Sequence, residues 1–350
     1  MSIQIKHSDA AILVKQNSPL VIDKINLPEE LTYGQVLVKV EISGICGSQI
    51  GEINGAKGPD KYLPHLLGHE GCGKVLEIGP GVKTVQSGDK VVLHWRQGEG
   101  IQAEPAKYKW QGQTLNAGWV TTFNSYAIIS ENRCTKVSAD LNPEHASLLG
   151  CAITTGFGVV ENNASLKMGE SVVVYGAGGI GLSIIQAAKS VSAWPIIAVD
   201  IFEKRLELAK KIGATHTING LENDPKILIK SILQNQELDV FIDNTGIPNV
   251  IEKGYSIIKS DGRLILVGVP KKDKNINIHS LPLHFGKLIS GSHGGESIPN
   301  KDIPRYIRHI KKNNIDLDSI ITKRFDLKNI NEAVKSMQDG KTAGRVLIKF

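Results

Sequence analysis

With 350 residues, the chain is long enough for two stable cores, and its 41% hydrophobic and 22% charged residues are those of a soluble globular enzyme. The net charge of +6 is scattered over predicted helix faces such as 203–211 and 305–312, and aromatics make up only 5%, which argues against nucleic-acid binding. No apolar run is long enough to span a bilayer, and the opening nine residues lack the apolar centre of a signal peptide, so no membrane partner and a cytoplasmic location are expected.

From Ala10 to Val137 the signals are β. Apolar stretches at 11–14, 36–40, 73–78 and 90–93 are separated by reversals at Gly79-Pro80-Gly81 and Ser87-Gly88-Asp89, as in a compact β-rich barrel or sandwich. Cys46, Cys72, Cys134 and Cys151 lie far apart, so free thiols or metal ligands are expected rather than disulfides. Cys46 falls in Gly44-Ile45-Cys46-Gly47-Ser48, His69 and Glu70 in Gly68-His69-Glu70-Gly71, and Cys151 in Gly150-Cys151-Ala152. Thiolates and an imidazole suit zinc, and three protein ligands with one open position make a catalytic site. Spacing alone leaves the alternative open: two small buried thiols and a hydrogen-bonded loop histidine.

From Pro143 the rhythm turns helical, and from Ser171 strands and helices alternate, as a parallel sheet covered on both faces requires. Three valines at 172–174 read as a buried strand, followed by Gly176, Gly178, Gly179, Ile180 and Gly181 in G-x-G-x-x-G spacing and then a helix. Such a turn brings backbone N–H groups and a helix N-terminus to a pyrophosphate. A strand at 196–199 ends at Asp200, nineteen positions past Gly181, where an acid can hold the adenosine ribose. Further strands at 215–218, 240–242, 264–267 and 288–290 complete the six of a Rossmann sheet. The tail adds helices at 303–312 and 330–338 and a strand at 345–349, which is expected to return to the first domain. The fold class is α/β, with a β-rich domain at 1–153 completed by 292–350 and a dinucleotide-binding domain at 154–291.

In this order, Gly-Ile-Cys-Gly-Ser, Gly-His-Glu-Gly-Cys-Gly, Ser-Gly-Asp-Lys-Val, Gly-Cys-Ala-Ile-Thr-Thr-Gly, Gly-Ala-Gly-Gly-Ile-Gly and the closing Gly-Lys-Thr-Ala-Gly-Arg-Val-Leu-Ile-Lys-Phe resemble the zinc-containing medium-chain alcohol dehydrogenases, end to end. The resemblance implies a GroES-like catalytic domain, a Rossmann domain and an active site in the cleft between them. It implies Cys46, His69 and Cys151 as ligands of one catalytic zinc, with Glu70 behind them or exchanging onto the metal. It implies Ser48 as the hydroxyl that takes the alcohol's proton, Asp200 and Arg205 at the adenosine ribose, Thr155, Val267 and Gly268 along the nicotinamide, and Arg345 at the pyrophosphate. Trp95 falls where such enzymes keep an aromatic wall of the substrate pocket.

Three departures stand out. The segment 96–119, where many relatives carry four cysteines for a structural zinc, has none, so no structural zinc is expected. Gln49 replaces the usual aspartate, and Gly51 stands where several members place a proton-passing histidine. The resulting reading is a zinc-dependent dehydrogenase moving hydride between an alcohol and NAD(H), with aldehyde or ketone as the other partner. NADP(H) is disfavoured by the carboxylate of Asp200. A polyol or sugar-derivative dehydrogenase of the sorbitol-dehydrogenase branch is the alternative within the class. A catalytically inactive nucleotide-binding protein is the alternative outside it. A homodimer or homotetramer is expected, from the resemblance and from an apolar strand near 288–290 able to pair across an interface.

Overall fold

The computed structural model describes residues 3–234, 236–340 and 342–350; Met1 and Ser2 of the opening stretch and Lys341 of the closing motif lie outside the described residues. The first half of the chain builds two largely antiparallel sheets. One runs in the order Cys134–Val137, Lys90–His94, Glu70–Ile78, Gln35–Ile45, Arg345–Lys349, Ile321–Asp326, with Tyr126–Ser130 also on Gln35–Ile45. The closing strand Arg345–Lys349 therefore returns to the first domain, pairing Val346 with Ile45 and Leu347 with Gly44. The other sheet joins His65–Leu66, His7–Leu13, Val21–Asn26, Tyr108–Trp110 and Gln113–Leu115.

The remaining strands form a six-stranded parallel sheet in the order His216–Asn219, Ile196–Asp200, Val172–Tyr175, Leu238–Asp243, Ile258–Leu266, Leu288–Gly291. Chain order reverses on either side of Val172–Tyr175, and ligands bind beyond the carboxyl ends of strands at such a switch point. Val172, Val173 and Val174 are wholly buried, as a strand covered on both faces demands. Ile42, Cys72 and Val92 of the antiparallel sheet share one buried cluster with Phe157, Val172 and Leu182, so the core is continuous between the two halves.

The expected strands are present, most with longer bounds and some shifted by a residue, and several were not anticipated. Val21–Asn26 is mostly exposed and so lacks a clear alternation, while Tyr108–Trp110 and Gln113–Leu115 are too short to show a period. The helix expected at 303–312 begins at Pro299, because proline suits a first helical turn, whose N–H groups have no partner in the helix. Val267 lies just past the strand Ile258–Leu266, its N–H bonded to the Asp243 carbonyl at 2.8 Å. Among the described residues no helix is long and apolar enough to cross a membrane.

Candidate active site

Three donors from separate segments meet at the junction of the two halves. Cys46 follows the strand Gln35–Ile45 and caps the helix Gly47–Ile53, His69 precedes the strand Glu70–Ile78, and Cys151 caps the helix Ala152–Gly158. One donor atom of each lies within 4.8 Å of the others, and the two sulfurs are 4.0 Å apart. Zinc–sulfur bonds of about 2.3 Å put the corners of a tetrahedron about 3.8 Å apart, so this donor set and spacing fit one zinc ion.

The electrostatics agree with that use. The Cys151 S–H donates to the Cys46 sulfur, and with His69 and Arg345 nearby the Cys46 thiol is held well below its ordinary range, although burial opposes this. Cys151 is pushed well up by the same pairing and by its own burial, so Cys46 is the more readily ionised of the two.

Glu70 is not one of the converging donors. Its carboxylate is taken by the guanidinium of Arg345 and by the Ala152 N–H at 2.9 Å, so it stands behind His69 and Cys151. Arg345, 2% exposed, is thus paired with Glu70 through one guanidinium nitrogen, and it also borders the nucleotide cleft. A Cβ added at Gly179 would come within 2.3 Å of its Cδ. Burial works against its charge, but Glu70, Cys46 and Cys151 raise its pKa further still.

That cleft, about 420 Å³, is lined by Gly176, Gly178, Gly179, Ile180, Gly181, Asp200, Arg205 and Asn244, with Gly47 and Ile50 from the other half. Gly176 takes φ +95°, a left-handed turn that a side chain would strain, and this carries the chain from strand to helix. Asp200 accepts from the N–H groups of Ala177, Ile201 and Phe202 at 2.8 to 3.0 Å, and Arg205 lies 3.6 Å away. Among the described residues, the Arg205 Nε, the Arg345 Nε and both polar atoms of the Asn244 side chain are buried without a hydrogen-bond partner, as residues that receive a polyanionic dinucleotide would be. The sequence reading missed Asn244; its place just after the strand Leu238–Asp243, at the carboxyl edge of the sheet, was the available signal.

Around the three donors, Ser48 sits partly buried on the first turn of the helix Gly47–Ile53. Gln49 is buried and its Oε1 accepts from the Cys46 N–H at 3.3 Å, so a neutral amide holds the ligand's backbone. Trp95 meets the rings of His69 and His293 edge-on, with centroids 6.4 and 4.9 Å away. Thr155 is buried one helical turn past Cys151, and the N–H groups of Val267 and Gly268 both donate to the Asp243 carbonyl. His94 is buried, which pushes it down to about 4, with its nitrogens 2.8 Å from the Arg96 carbonyl and 2.9 Å from the Thr135 hydroxyl. The Glu131 carboxylate accepts from the N–H groups of Lys83, Thr84 and Ile101, which joins the loop at 96–103 to the turn at 83–84.

The chain matches two family profiles, Alcohol dehydrogenase GroES-like domain over residues 32–139 and Zinc-binding dehydrogenase over 179–312. It is 31% identical to an S-(hydroxymethyl)glutathione dehydrogenase of Escherichia coli, in an alignment covering 98% of this chain and 100% of that one. The benzyl alcohol dehydrogenase of Acinetobacter calcoaceticus superposes with a TM-score of 0.88 at 30% identity, over 99% of this chain and 100% of that one. An alcohol dehydrogenase zinc-binding domain protein of Burkholderia ambifaria superposes with a TM-score of 0.89 at 28% identity, over 99% of both chains. Likeness of this extent, on a chain whose two cysteines and histidine converge beside a glycine-lined nucleotide cleft, means that the chain belongs to the zinc-containing medium-chain alcohol dehydrogenases, oxidoreductases that use zinc and NAD(H).

Proposed function

We propose that the protein is an NAD(H)-dependent dehydrogenase of a primary alcohol, with a single catalytic zinc held by Cys46, His69 and Cys151. The observation that carries it is the meeting of these three donors next to a cleft that Gly47, the neighbour of Cys46, shares with the glycine turn. When bound, zinc supplies a Lewis acid for the alcohol or carbonyl oxygen, and the dinucleotide supplies the acceptor or donor of hydride. Glu70 and Arg345 position the ligand segments: one carboxylate ties the residue after His69 to the residue after Cys151 and to the strand Arg345–Lys349. Ser48 receives the alcohol's proton, since a hydroxyl can accept on one side and donate on the other, and Gly51 has no side chain to take the proton on. Trp95 and His293 wall the substrate side.

Asp200 favours NAD(H), because its carboxylate can accept from ribose hydroxyls and would repel a 2′-phosphate; Arg205 beside it moderates the preference. Primary alcohols are favoured over polyols because the relatives above are named for S-(hydroxymethyl)glutathione and benzyl alcohol. The domain division proposed is 1–153 with 292–350 for the metal side and 154–291 for the nucleotide side. The strand Leu288–Gly291 closes the parallel sheet with one edge unpaired, beside exposed Leu281, Phe285 and Leu288, which supports a homodimer or homotetramer in the cytoplasm. The test is a screen of primary alcohols, polyols and their carbonyl products against NAD(H) and NADP(H), with metal content measured on the same sample. Turnover of primary alcohols with NAD(H) is expected; turnover confined to polyols or to NADP(H) would overturn the reading.

A further inference from the structure

Beyond His69 the substrate side opens into a cleft of about 580 Å³, and its wall holds a second convergence of donor atoms. Glu52 comes from the helix Gly47–Ile53, Asp60 from the loop that follows, and His65 from the strand His65–Leu66. The His65 Nε2 lies 2.8 Å from the Asp60 Oδ2 and 3.8 Å from the Glu52 Oε1, and one donor atom of each of the three lies within 4.8 Å of the others. His65 is 7% exposed, while the Glu52 side chain, at 43%, is free to swing.

The other nitrogen of His65 decides what faces the acids. Nδ1 lies 2.9 Å from the Leu66 carbonyl oxygen, which can only accept, so Nδ1 carries a hydrogen. In the neutral ring Nε2 then points a lone pair at two carboxylates, an arrangement satisfied only by an electrophile between them: a further proton on the ring or a cation. An Nδ1–H bond to a backbone carbonyl is also how metal-bound histidines are held in one tautomer and orientation. The Tyr62 N–H occupies the Asp60 Oδ1 at 2.8 Å and leaves Oδ2 for the shared point. Zinc bonds of about 2.0–2.1 Å to nitrogen and oxygen place neighbouring ligands about 3.3 Å apart, and the observed 2.8 and 3.8 Å bracket that value.

We propose that Glu52, Asp60 and His65 form a second, exchangeable zinc site in the wall of the substrate cleft, separate from Cys46, His69 and Cys151. One imidazole and two carboxylates hold zinc less tightly than two thiolates and an imidazole, so this ion exchanges with the medium while the first does not. An ion here ties the helix that carries Ser48 to the loop and strand leading to His69.

The experiment equilibrates enzyme purified in zinc-free buffer against rising free zinc, reading zinc per chain by elemental analysis and the added site by calorimetry. The wild-type enzyme is expected to take up one further zinc per chain. Asp60→Asn, and Glu52→Gln at its half-exposed position, are expected to weaken that uptake by about tenfold or more while keeping the tightly held zinc. Cys151→Ser is expected to lose the tightly held zinc and keep the exchangeable one, so this readout stands apart from the reading of the catalytic site. No further uptake at millimolar zinc, or uptake with the same affinity in Glu52→Gln and Asp60→Asn, would overturn the proposal.

Discussion

The junction between the two halves and the interior of the antiparallel sheet each hold two cysteines, all four at most 6% exposed, and burial does not tell the pairs apart. Cys72 lies within the strand Glu70–Ile78, packed with Ile42, Val92 and Leu148, and Cys134 opens the strand Cys134–Val137 among Val91 and Leu93. Burial pushes the Cys72 thiol up to about 12 and that of Cys134 higher, so both behave as small apolar side chains. Cys46 and Cys151 sit where segments end, against each other, with His69 and Arg345 close by, and there the Cys46 thiol is held well below its ordinary range. What separates the two pairs is the company of cations and a second sulfur at a loop end, not depth.

The sharpest way to break that contrast is to exchange the pairs. Cys151→Ser should abolish turnover and lower the tightly held zinc toward zero per chain, while dinucleotide binding by fluorescence titration stays near wild type; Cys72→Ala should keep both zinc and turnover. Retained zinc in the first variant, or lost zinc in the second, would erase the distinction. A smaller effect separates proton handling from ligation at the same junction. Ser48→Ala should lower turnover by about a hundredfold with zinc content unchanged, and a pH–rate profile with near wild-type rates would remove Ser48 from the role.

On the nucleotide side the expected change is smaller again. Asp200→Ala should weaken NAD(H) binding by about tenfold and narrow the gap to NADP(H), as loss of a hydrogen bond to a charged group implies; an unchanged ratio of Kd values would contradict this. The smallest effect is expected beside the Cys72 core, where Glu144 on the helix Pro143–Leu148 is held at about 2 by Arg324 and Lys349 against the effect of burial. Its folded pKa lies below its unfolded one, so its stabilisation is present above about pH 4.5 and lost as pH falls toward 2. Glu144→Gln should cost about 1 kcal/mol at neutral pH, since its partners are 40% and 46% exposed, and almost nothing near pH 2 in denaturant titrations. A cost that persists at low pH would assign the effect to packing.

The parallel sheet was legible because strands buried on both faces read as continuous apolar runs, and the glycine turn because the backbone at Gly176 has little other choice. Cys46, His69 and Cys151 stood out through their glycine-flanked segments and the resemblance that those segments carry. Glu52, Asp60 and His65 did not, because their meeting depends on the path of the loop at 54–64, and no local pattern records a loop's path. Arg345 was placed at the pyrophosphate from its motif alone; its pairing with Glu70 is a contact across 275 positions that only the register of Arg345–Lys349 on Gln35–Ile45 brings about.

That pairing sets an order of events during synthesis. Until residue 345 has left the ribosome, Glu70 has no guanidinium to meet, and closing the protein around a lone carboxylate is strongly unfavourable. The segments bearing His69 and Cys151 therefore gain their shared anchor only once the strand Arg345–Lys349 has been made and has paired with Gln35–Ile45.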